Sequence, residues 1–340
     1  MATHLDIAQD TLHVDAVYTW VDGADPLWLE QKRLLGQKLS GDFSTPEKGN
    51  DAARFRDNDE LRYSLRSLEC FAPWVRKVHL ITADQKPEWL NRERVNLVSH
   101  RDIFPADVPL PVFSTRPIEF CVHRIPGLAE HFIYCNDDFL LGRPLAKNDF
   151  FLPDGRPRLW VVKRSKTYMQ QLLSRLDSSA SHASAVARSH ALIKERYGLS
   201  FPFTMRHYPK AMRYSSAAAL WEAFPEEITA TLNSPFRSPQ DLSVTMLYPL
   251  FLLAEKTGVS HSINGIRQIY DIIACKGMAH MGASIGDSNA RNKMRAIRLL
   301  RPRTFCLNDA PGASNADRQA LKDFLAAMFP RPSKYELPEA

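Results

Sequence analysis

The chain has 340 residues, of which 44% are hydrophobic and 24% are charged, a composition typical of one large or two ordinary globular domains. Lysine and arginine number 44 against 38 acidic residues, so the formal net charge is +6 at pH 7. Because the basic residues are spread along the chain without a long basic run, the sequence predicts neither a nucleic-acid-binding arm nor a basic membrane-binding segment.

The cysteines and the apolar segments indicate the cellular compartment in which we expect the protein. No two of the five cysteines form a C-x-x-C pair, so neither a zinc ribbon nor a disulfide framework is indicated and a reducing compartment is favoured. The first 13 residues are polar, and no signal peptide is expected. The most apolar stretch, residues 246–254, is too short to span a bilayer. We therefore expect a cytoplasmic protein, attached to a membrane only peripherally.

Strand and helix patterns alternate through the first part of the chain. The predicted strands are 13–23, 75–82, 94–100, 132–135 and 158–164, and the predicted helices are a stretch after Pro26, 57–71 and 116–125. Asp57 and Glu60 have the spacing of a capping box at the start of helix 57–71. This alternation predicts an α/β fold with an open, mostly parallel sheet and right-handed crossovers.

The second half of the chain has a different pattern. Residues from about 165 to 260 are mainly helical, and the chain then returns to a strand at 302–309 and a helix at 315–329. We therefore predict one unit in three parts. These are an α/β part at 1–164, a helical insertion at 165–260 that packs beside it, and a C-terminal part at 261–340 that returns to the α/β core.

Acidic and amide side chains follow three of the predicted strands. Asp22 ends the first, Asn136, Asp137 and Asp138 end the run "FIYC", and Asp309 ends the run "TFCL". Because ligands of open α/β sheets bind beyond the carboxyl ends of the strands, we expect these side chains to gather at one edge. The alternative is that each acid caps its own turn, since Asp and Asn commonly form Asx-turns at such positions.

The adjacent carboxylates of Asp137 and Asp138 need a compensating partner. Two unit charges about 4 Å apart repel by about 4 kcal/mol at an effective dielectric constant near 20. Water, a local turn that uses the side chains, a shared proton or a cation could offset that repulsion. A divalent cation such as Mg²⁺ or Mn²⁺ would do so with phosphate oxygens completing its ligand shell, and on this alternative we predict a metal site at Asp137 and Asp138.

The helix predicted at 116–125 presents Arg116, Glu119 and His123 on one face. This helix runs directly into the strand that delivers Asn136, so its ionisable face is a candidate wall of the same cleft. The alternative is an exposed ladder of charged side chains.

Long stretches of the sequence resemble the Stealth family of bacterial capsular and exopolysaccharide hexose-1-phosphotransferases, which is related to the animal N-acetylglucosamine-1-phosphotransferase. "DAVYTWVDG", "RFRDNDELRYSLRSLECFAPWVRKVHLITADQKPEWLN" and "FSTRPIEFCVHRIPGLAEHFIYCNDDFLLG" resemble its first two blocks. "MRHYPKAMR" with "SPFRSPQDLSVTM" resembles the third block, and "RPRTFCLNDAPGASNADRQALKDF" begins the fourth. Together the blocks cover well over half of the chain in the order of the family.

The resemblance implies a fold like that of the glycosyltransferase-A enzymes and a definite reaction. It also implies that the three parts form one catalytic unit, in which 1–164 binds the nucleotide sugar and the insertion at 165–260 forms the acceptor wall of the cleft. A UDP-hexose, with a UDP-N-acetylhexosamine favoured, would give its sugar-1-phosphate to a hydroxyl of an oligosaccharide or polysaccharide, releasing UMP. The partners would be these substrates and, peripherally, a membrane-bound capsule-assembly complex, and no nucleic acid. The competing hypothesis is a metal-dependent glycosyltransferase that releases UDP.

The resemblance also implies which residues act. Its catalytic positions fall on Glu119, Asp138, His207 and Arg237. Arg237 is a candidate phosphate clamp that Asp241 would hold in place, and either His207 or Glu119 would accept the proton of the acceptor hydroxyl. The further candidates for substrate binding are Asp22, Arg54, Arg116, Arg124, Asn136 and Asp309.

Overall fold

The structure is a computed structural model that describes residues 12–40, 55–176, 179, 181–262 and 279–338. Its strands are β1 (Val14–Thr19), β2 (Val78–Thr82), β3 (Val95–Ser99), β4 (His131–Asn136), β5 (Phe139–Leu141), β6 (Arg158–Lys163), β7 (Phe203–Thr204), β8 (Lys210–Arg213), β9 (Val259–Ser262), β10 (His280–Ser284) and β11 (Thr304–Asn308). Arg54, a predicted substrate-binding residue, lies outside the described residues.

The helices follow the same chain order. They are α1 (Pro26–Ser40), α2 (Glu60–Phe71), α3 (His100–Ile103), α4 (Thr115–Cys121), α5 (Lys166–Leu173), α6 (His182–Tyr197), α7 (Tyr214–Ala223), α8 (Pro225–Leu232), α9 (Val244–Ala254), α10 (Ala290–Leu300) and α11 (Asn315–Met328). Within the described parts of the chain, no helix combines the length and apolarity that crossing a membrane requires.

The largest sheet has five strands in the order β3-β2-β1-β4-β8. The first four run parallel, and β8 runs antiparallel to β4. Every residue of β1 is buried, as expected for a central strand that is covered on both faces. The predicted α/β fold with an open, mostly parallel sheet is therefore confirmed.

Two smaller sheets extend the molecule. In one, β11 pairs in parallel with β10 and antiparallel with β5, which directly follows the predicted metal-binding residues. In the other, β6 pairs in parallel with β9 and antiparallel with β7. The C-terminal strand β11 and the helix α11 thus join the fold through β5, beside the end of β4.

Alternate side chains of β4 face two different apolar clusters. Phe132 and Tyr134 belong to the cluster that includes Leu247 of α9, whereas Ile133 and Cys135 belong to the cluster that includes Leu65 of α2. This alternation follows from the two-residue period of a strand. The end of β4 therefore lies between two packed layers, and this packing fixes the backbone that leads into Asn136–Asp138.

Three details of the predicted elements differ in the structure. The capping box of Asp57 and Glu60 is absent, because α2 begins at Glu60 and its N-cap residue is Asp59, at φ 67° without a side-chain capping bond. The helix predicted at 116–125 ends at Cys121 and continues as a 3₁₀ turn over Val122–Arg124. The mainly helical stretch 165–260 also contributes a strand, β8, to the largest sheet.

Candidate active site

A cleft of about 640 Å³ opens beyond the carboxyl ends of β1, β2 and β4. Its lining includes Trp20, Trp28, Phe55, Arg56, Glu60, Ala83, Phe113, Asn136, Asp137, Asp138, His207, Arg237, Ser284, Asn308 and Asp309. Segments that are distant in the sequence therefore meet at one concavity, at the edge of the sheet where α/β proteins bind ligands.

One wall of the cleft carries interacting carboxylates. Burial raises the pKa of Asp137 well above its ordinary range, and the charges of Asp138, Glu60 and Asp57 raise it further. Burial also raises the pKa of Glu60 to about 7. Negative charge on this wall is thus unfavourable until a cation or a proton offsets it.

Two oxygen atoms of this wall lack a hydrogen-bond partner among the described residues. They are Oδ1 of Asp138 and Oδ1 of Asn136, and both are buried. The other oxygen of Asp138, Oδ2, accepts a hydrogen bond of 3.2 Å from the Cys306 thiol. Unpaired hard oxygens beside paired carboxylates are the donor set that Mg²⁺ or Mn²⁺ prefers.

The same wall has few protein ligands for a metal. No group of three or more His, Cys, Asp or Glu side chains suited to a metal ion occurs in the described parts of the chain. Mg²⁺ is commonly held by one or two carboxylates while substrate phosphates and water fill the remaining positions. The residues present therefore fit a cation that binds together with a phosphate-bearing ligand.

His207 lines the cleft close to the carboxylates. It lies in the turn between β7 and β8, it is exposed, and its ring centroid is 6.3 Å from that of Phe139. Burial raises the pKa of Asp138, and the Cys306 thiol and His207 act against that rise. The imidazole and the Asp138 carboxylate therefore interact electrostatically within the cleft.

Arg237 reaches the cleft from the segment between α8 and α9. Its charge lowers the pKa of Glu119, but burial is the larger effect and raises that pKa to about 7. Glu119 is only 8% exposed and lies behind the cleft wall, where it accepts a 3.2 Å hydrogen bond from the Tyr134 hydroxyl. The structure thus brings Asp138, His207 and Arg237 together at the surface of the cleft and places Glu119 beneath it.

Asp309 lines the cleft, but its carboxylate is already paired. Its Oδ2 atom accepts a 2.8 Å hydrogen bond from Arg56, another cleft residue, and a longer bond of 3.4 Å from Asn58. Asp309 therefore holds the Arg56 guanidinium at the cleft.

Three predicted substrate-binding residues lie outside the lining of the cleft. Asp22 caps its own turn, because its Oδ1 atom accepts a 2.8 Å hydrogen bond from the amide of Ala24. Arg124 donates a 2.6 Å hydrogen bond to the carbonyl of Ile103. For Asp22 this is the turn-forming alternative that the sequence left open.

Arg116 is the third predicted substrate-binding residue outside the lining of the cleft. It is buried and donates a 2.7 Å hydrogen bond to Asp241. The expectation that Asp241 holds Arg237 is thereby corrected, since its carboxylate binds Arg116 and the amide of Ser238 instead. Arg116 also donates to the carbonyl of Ser238, so this ion pair fixes the loop that begins just after Arg237. The remaining member of the predicted face, His123, is buried against Trp221.

Lys210 was missed by the sequence analysis. Its ammonium group is buried and donates hydrogen bonds to the carbonyls of Arg206 and Tyr208, the two neighbours of His207. Burial lowers the pKa of Lys210 to about 7 although the Glu119 carboxylate acts in the opposite direction. The sequence did contain a signal, because this lysine lies within the strand pattern "YPKAMR". A lysine that a strand buries is almost always paired with another group.

An aromatic wall was also missed. The rings of Phe55 and Phe113 lie on either side of Trp28, with centroid distances of 5.1 and 5.2 Å, and Lys32 Nζ is 3.8 Å from the Phe55 centroid. Because these residues come from separate segments, no local sequence pattern predicts that their rings meet. Such a wall gives the cleft an apolar surface in addition to its charged one.

The fold and the cleft are those of an α/β enzyme, with a ligand site at the carboxyl edge of its sheet. Family models of the Stealth conserved regions 1, 2, 3 and 4 match residues 12–40, 54–159, 206–254 and 295–340. The chain therefore belongs to the Stealth family, as its sequence blocks indicated.

Curated relatives carry related names. An exopolysaccharide phosphotransferase of Streptomyces coelicolor is 35% identical over 97% of this chain and 34% of its own length. A capsular polysaccharide phosphotransferase of Haemophilus influenzae is 31% identical over 89% of this chain and 79% of its own length. The chain spans about a third to just over half of the Streptomyces relatives that it matches.

Among solved structures, the chain resembles the galactosyltransferase LgtC in complex with donor and acceptor sugar analogues. The two share 10% identity, and the match covers 96% of this chain and 98% of the other at a TM-score of 0.39. The likeness is a distant one.

Proposed function

We propose that this chain transfers a hexose-1-phosphate, with N-acetylhexosamine-1-phosphate favoured, from a UDP-sugar to a hydroxyl of an oligosaccharide or polysaccharide. The acceptor oxygen would form a bond to the β-phosphorus, the bond from that phosphorus to the bridging oxygen would break, and UMP would leave. The supporting observation is that Asp138, His207 and Arg237, from three separate segments, line one cleft. The names of the relatives, which are exopolysaccharide and capsular polysaccharide phosphotransferases, agree with it.

In this proposal arginine side chains bind the diphosphate of the donor. Arg237 presents a planar fork of N–H groups, which suits the oxygens of a transferred phosphate. Arg56, held by Asp309 at 2.8 Å, adds a second guanidinium on the same cleft. Phosphoryl transfer depends mainly on positioning and charge neutralisation, and both arginines would supply these.

His207 would accept the proton of the acceptor hydroxyl. It is favoured over Glu119 because it lies at the surface of the cleft, whereas Glu119 lies behind the wall under the Tyr134 hydroxyl. A histidine titrates near neutral pH, and the neighbouring Asp138 carboxylate would stabilise the imidazolium that forms. Glu119 would act as a positioning residue through its interaction with the charge of Arg237.

Asp137 and Asp138 would hold Mg²⁺ or Mn²⁺, with the unpaired oxygen of Asn136 beside them. When bound, such an ion neutralises charge on the diphosphate and on the departing phosphate. The aromatic wall at Trp28 and Phe113 would pack against the uracil base, since aromatic faces stack favourably. Asp22, Arg116 and Arg124 would then support the fold and not bind substrate directly.

The reaction would take place in the cytoplasm, at most with peripheral attachment to a capsule-assembly complex. The described cysteines, Cys70, Cys121, Cys135 and Cys306, are all free, which agrees with a reducing compartment.

The deciding experiment incubates the protein with a panel of UDP-sugars, Mg²⁺ and an oligosaccharide primer, and separates the released nucleotides by chromatography. Release of UMP with a phosphodiester signal in the phosphorus NMR spectrum of the product is expected. Release of UDP would identify a glycosyltransferase and refute the proposal. Asp138→Asn serves as the inactive control, and donor binding without release of either nucleotide would identify a non-catalytic binding protein.

A further inference from the structure

A second concavity, of about 540 Å³, lies at the other end of the largest sheet. It is lined by the amino ends of β2 and β3 and by five basic side chains, which are Arg76, Lys77, Arg92, Arg94 and Lys334, with Glu93 as its acidic member. Strands rise about 3.3 Å per residue, so Val78 in this concavity is roughly 17 Å from Ala83 in the cleft. We call these five side chains and the concavity between them the basic groove, and it is separate from the cleft.

Four of the five cations of the basic groove have no acidic partner among the described residues. Lys77, Arg92, Arg94 and Lys334 are exposed, and none forms an ion pair with a carboxylate in the described parts of the chain. Arg76 is paired with the buried Asp15 at 2.7 Å and still exposes 43% of its side chain.

Several basic side chains elsewhere on the surface have acidic partners. Examples are Arg33 with Glu30, Arg156 with Asp154 and Arg213 with Glu130, at 2.6 to 2.8 Å. The basic groove thus concentrates positive charge that the protein itself does not neutralise. Like charges held around one concavity repel each other, and a bound anion would relieve that repulsion.

The shape of the site indicates a chain-like ligand. The basic residues come from three segments and surround a concavity whose lining includes the buried Tyr335, with Lys334 Nζ 5.1 Å from its ring centroid. Because the exposed charges surround a concavity and do not lie on one flat face, a flexible polymer can follow them, whereas a flat bilayer would meet only some of them. Asn96 adds a polar group to the lining, which suits the hydroxyl groups of a sugar chain.

We propose that the basic groove is a second, non-catalytic binding site for an anionic polysaccharide whose sugars are linked by phosphodiesters. The identity of this ligand rests on the proposed function, because that reaction places one negative charge in every linkage it forms. Binding at the groove would retain a long acceptor on the protein and raise the effective concentration of its end near the cleft.

The test measures binding without turnover, so it is independent of the proposed reaction. The probes are dextran sulfate, uncharged dextran of equal length, and vesicles containing phosphatidylglycerol. The groove variant carries Lys77→Gln, Arg92→Gln, Arg94→Gln and Lys334→Gln. A matched control variant, with the same change of charge at exposed unpaired positions elsewhere, carries Lys163→Gln, Lys166→Gln, Lys194→Gln and Arg298→Gln.

We expect the wild type and Asp138→Asn to bind dextran sulfate equally, and the groove variant to bind it about tenfold more weakly or worse. The control variant should lose less than about threefold, and binding should weaken as salt is raised. Uncharged dextran should not bind. The proposal is overturned if both variants lose affinity equally, if neither does, or if vesicles compete for the groove more strongly than dextran sulfate. Loss of catalysis in Asp138→Asn with unchanged binding separates this site from the cleft.

Discussion

The ammonium group of Lys210 donates a hydrogen bond of 2.8 Å to the carbonyl oxygen of Tyr208, the residue that follows His207. It also donates to the carbonyl of Arg206, the residue that precedes His207. One buried cation therefore fixes the backbone on both sides of the proposed base. The geometry of the cleft thus depends on a residue of β8 that does not line the cleft.

Replacing Lys210 should impair the reaction without removing a cleft residue. In Lys210→Met the turn carrying His207 loses two hydrogen bonds, and small misplacements of a reacting group cost up to about 100-fold in rate. We expect kcat for UMP release to fall about 10- to 100-fold while KM for the donor changes less than about threefold. Lys163→Met, on the exposed end of β6, is the control and should retain full activity. A folded Lys210→Met protein with wild-type kcat would show that the turn does not need this cation.

The choice between His207 and Glu119 as the base gives a second prediction. His207→Ala should lower kcat by about 10²- to 10⁴-fold, the usual contribution of a general base. Glu119→Gln keeps the shape of the buried side chain and should lower kcat less than about tenfold. Steady-state rates of UMP release near pH 7 compare the two. The reverse order of effects would assign the base to Glu119.

Glu119 should also make the stability of the fold depend on pH. Burial raises its pKa from the ordinary 4.5 to about 7, so the folded protein holds the proton more tightly than the unfolded chain. This contribution to stability is fully present below about pH 4.5 and is lost as the pH rises through about 7. Between these values the wild type should lose up to about 3 kcal/mol more than Glu119→Gln.

Urea unfolding at several pH values between 4.5 and 7.5 measures this difference. Glu60 has a similarly raised pKa, so Glu119→Gln should reduce the pH dependence and not abolish it. Glu195→Gln, an exposed position on α6, should parallel the wild type. Equal pH dependence in the wild type and in Glu119→Gln would contradict the burial of an uncharged Glu119.

Asp15 should be important for the stability of the largest sheet. It is fully buried in β1 and accepts hydrogen bonds from Arg76 at 2.8 and 2.7 Å, from His79 at 3.0 Å and from the amide of Ala129 at 2.9 Å. Removing one partner of a buried ion pair costs about 3 kcal/mol or more, because the remaining groups lose their compensation.

The variant Asp15→Asn is therefore expected to lower the free energy of unfolding by about 3 kcal/mol, measured by chemical denaturation. Asp154→Asn is the matched control, because its ion pair with Arg156 is exposed on both sides and should contribute less than about 1 kcal/mol. Equal losses in the two variants would show that the Asp15 network is not what stabilises β1 and β2.

Most of the strands and helices of residues 12–164 were readable from local pattern, whereas the short strands β7, β8, β9 and β10 after residue 200 were not predicted. A buried strand such as 131–136 and an amphipathic helix such as 315–328 reveal themselves through apolar residues at their own period, which neighbouring residues in the chain encode. The same local information placed Asp137 and Asp138 at the end of a strand, and hence at the ligand-binding edge of the sheet. The family resemblance then singled out His207 and Arg237, which no local pattern distinguishes.

Partners across the fold could not be read in this way. Asp241 lies four residues from Arg237 and yet binds Arg116. The carboxylate of Asp309 binds Arg56, and Lys210 donates hydrogen bonds to the turn that carries His207. The basic groove likewise joins residues from positions 76–77, 92–94 and 334, although the sequence contains no basic run. Sequence alone determined the elements and the chemical groups available, because periodicity is a property of adjacent residues. Only the tertiary structure decided which groups meet, because side-chain contacts depend on how packed layers bring distant segments into register.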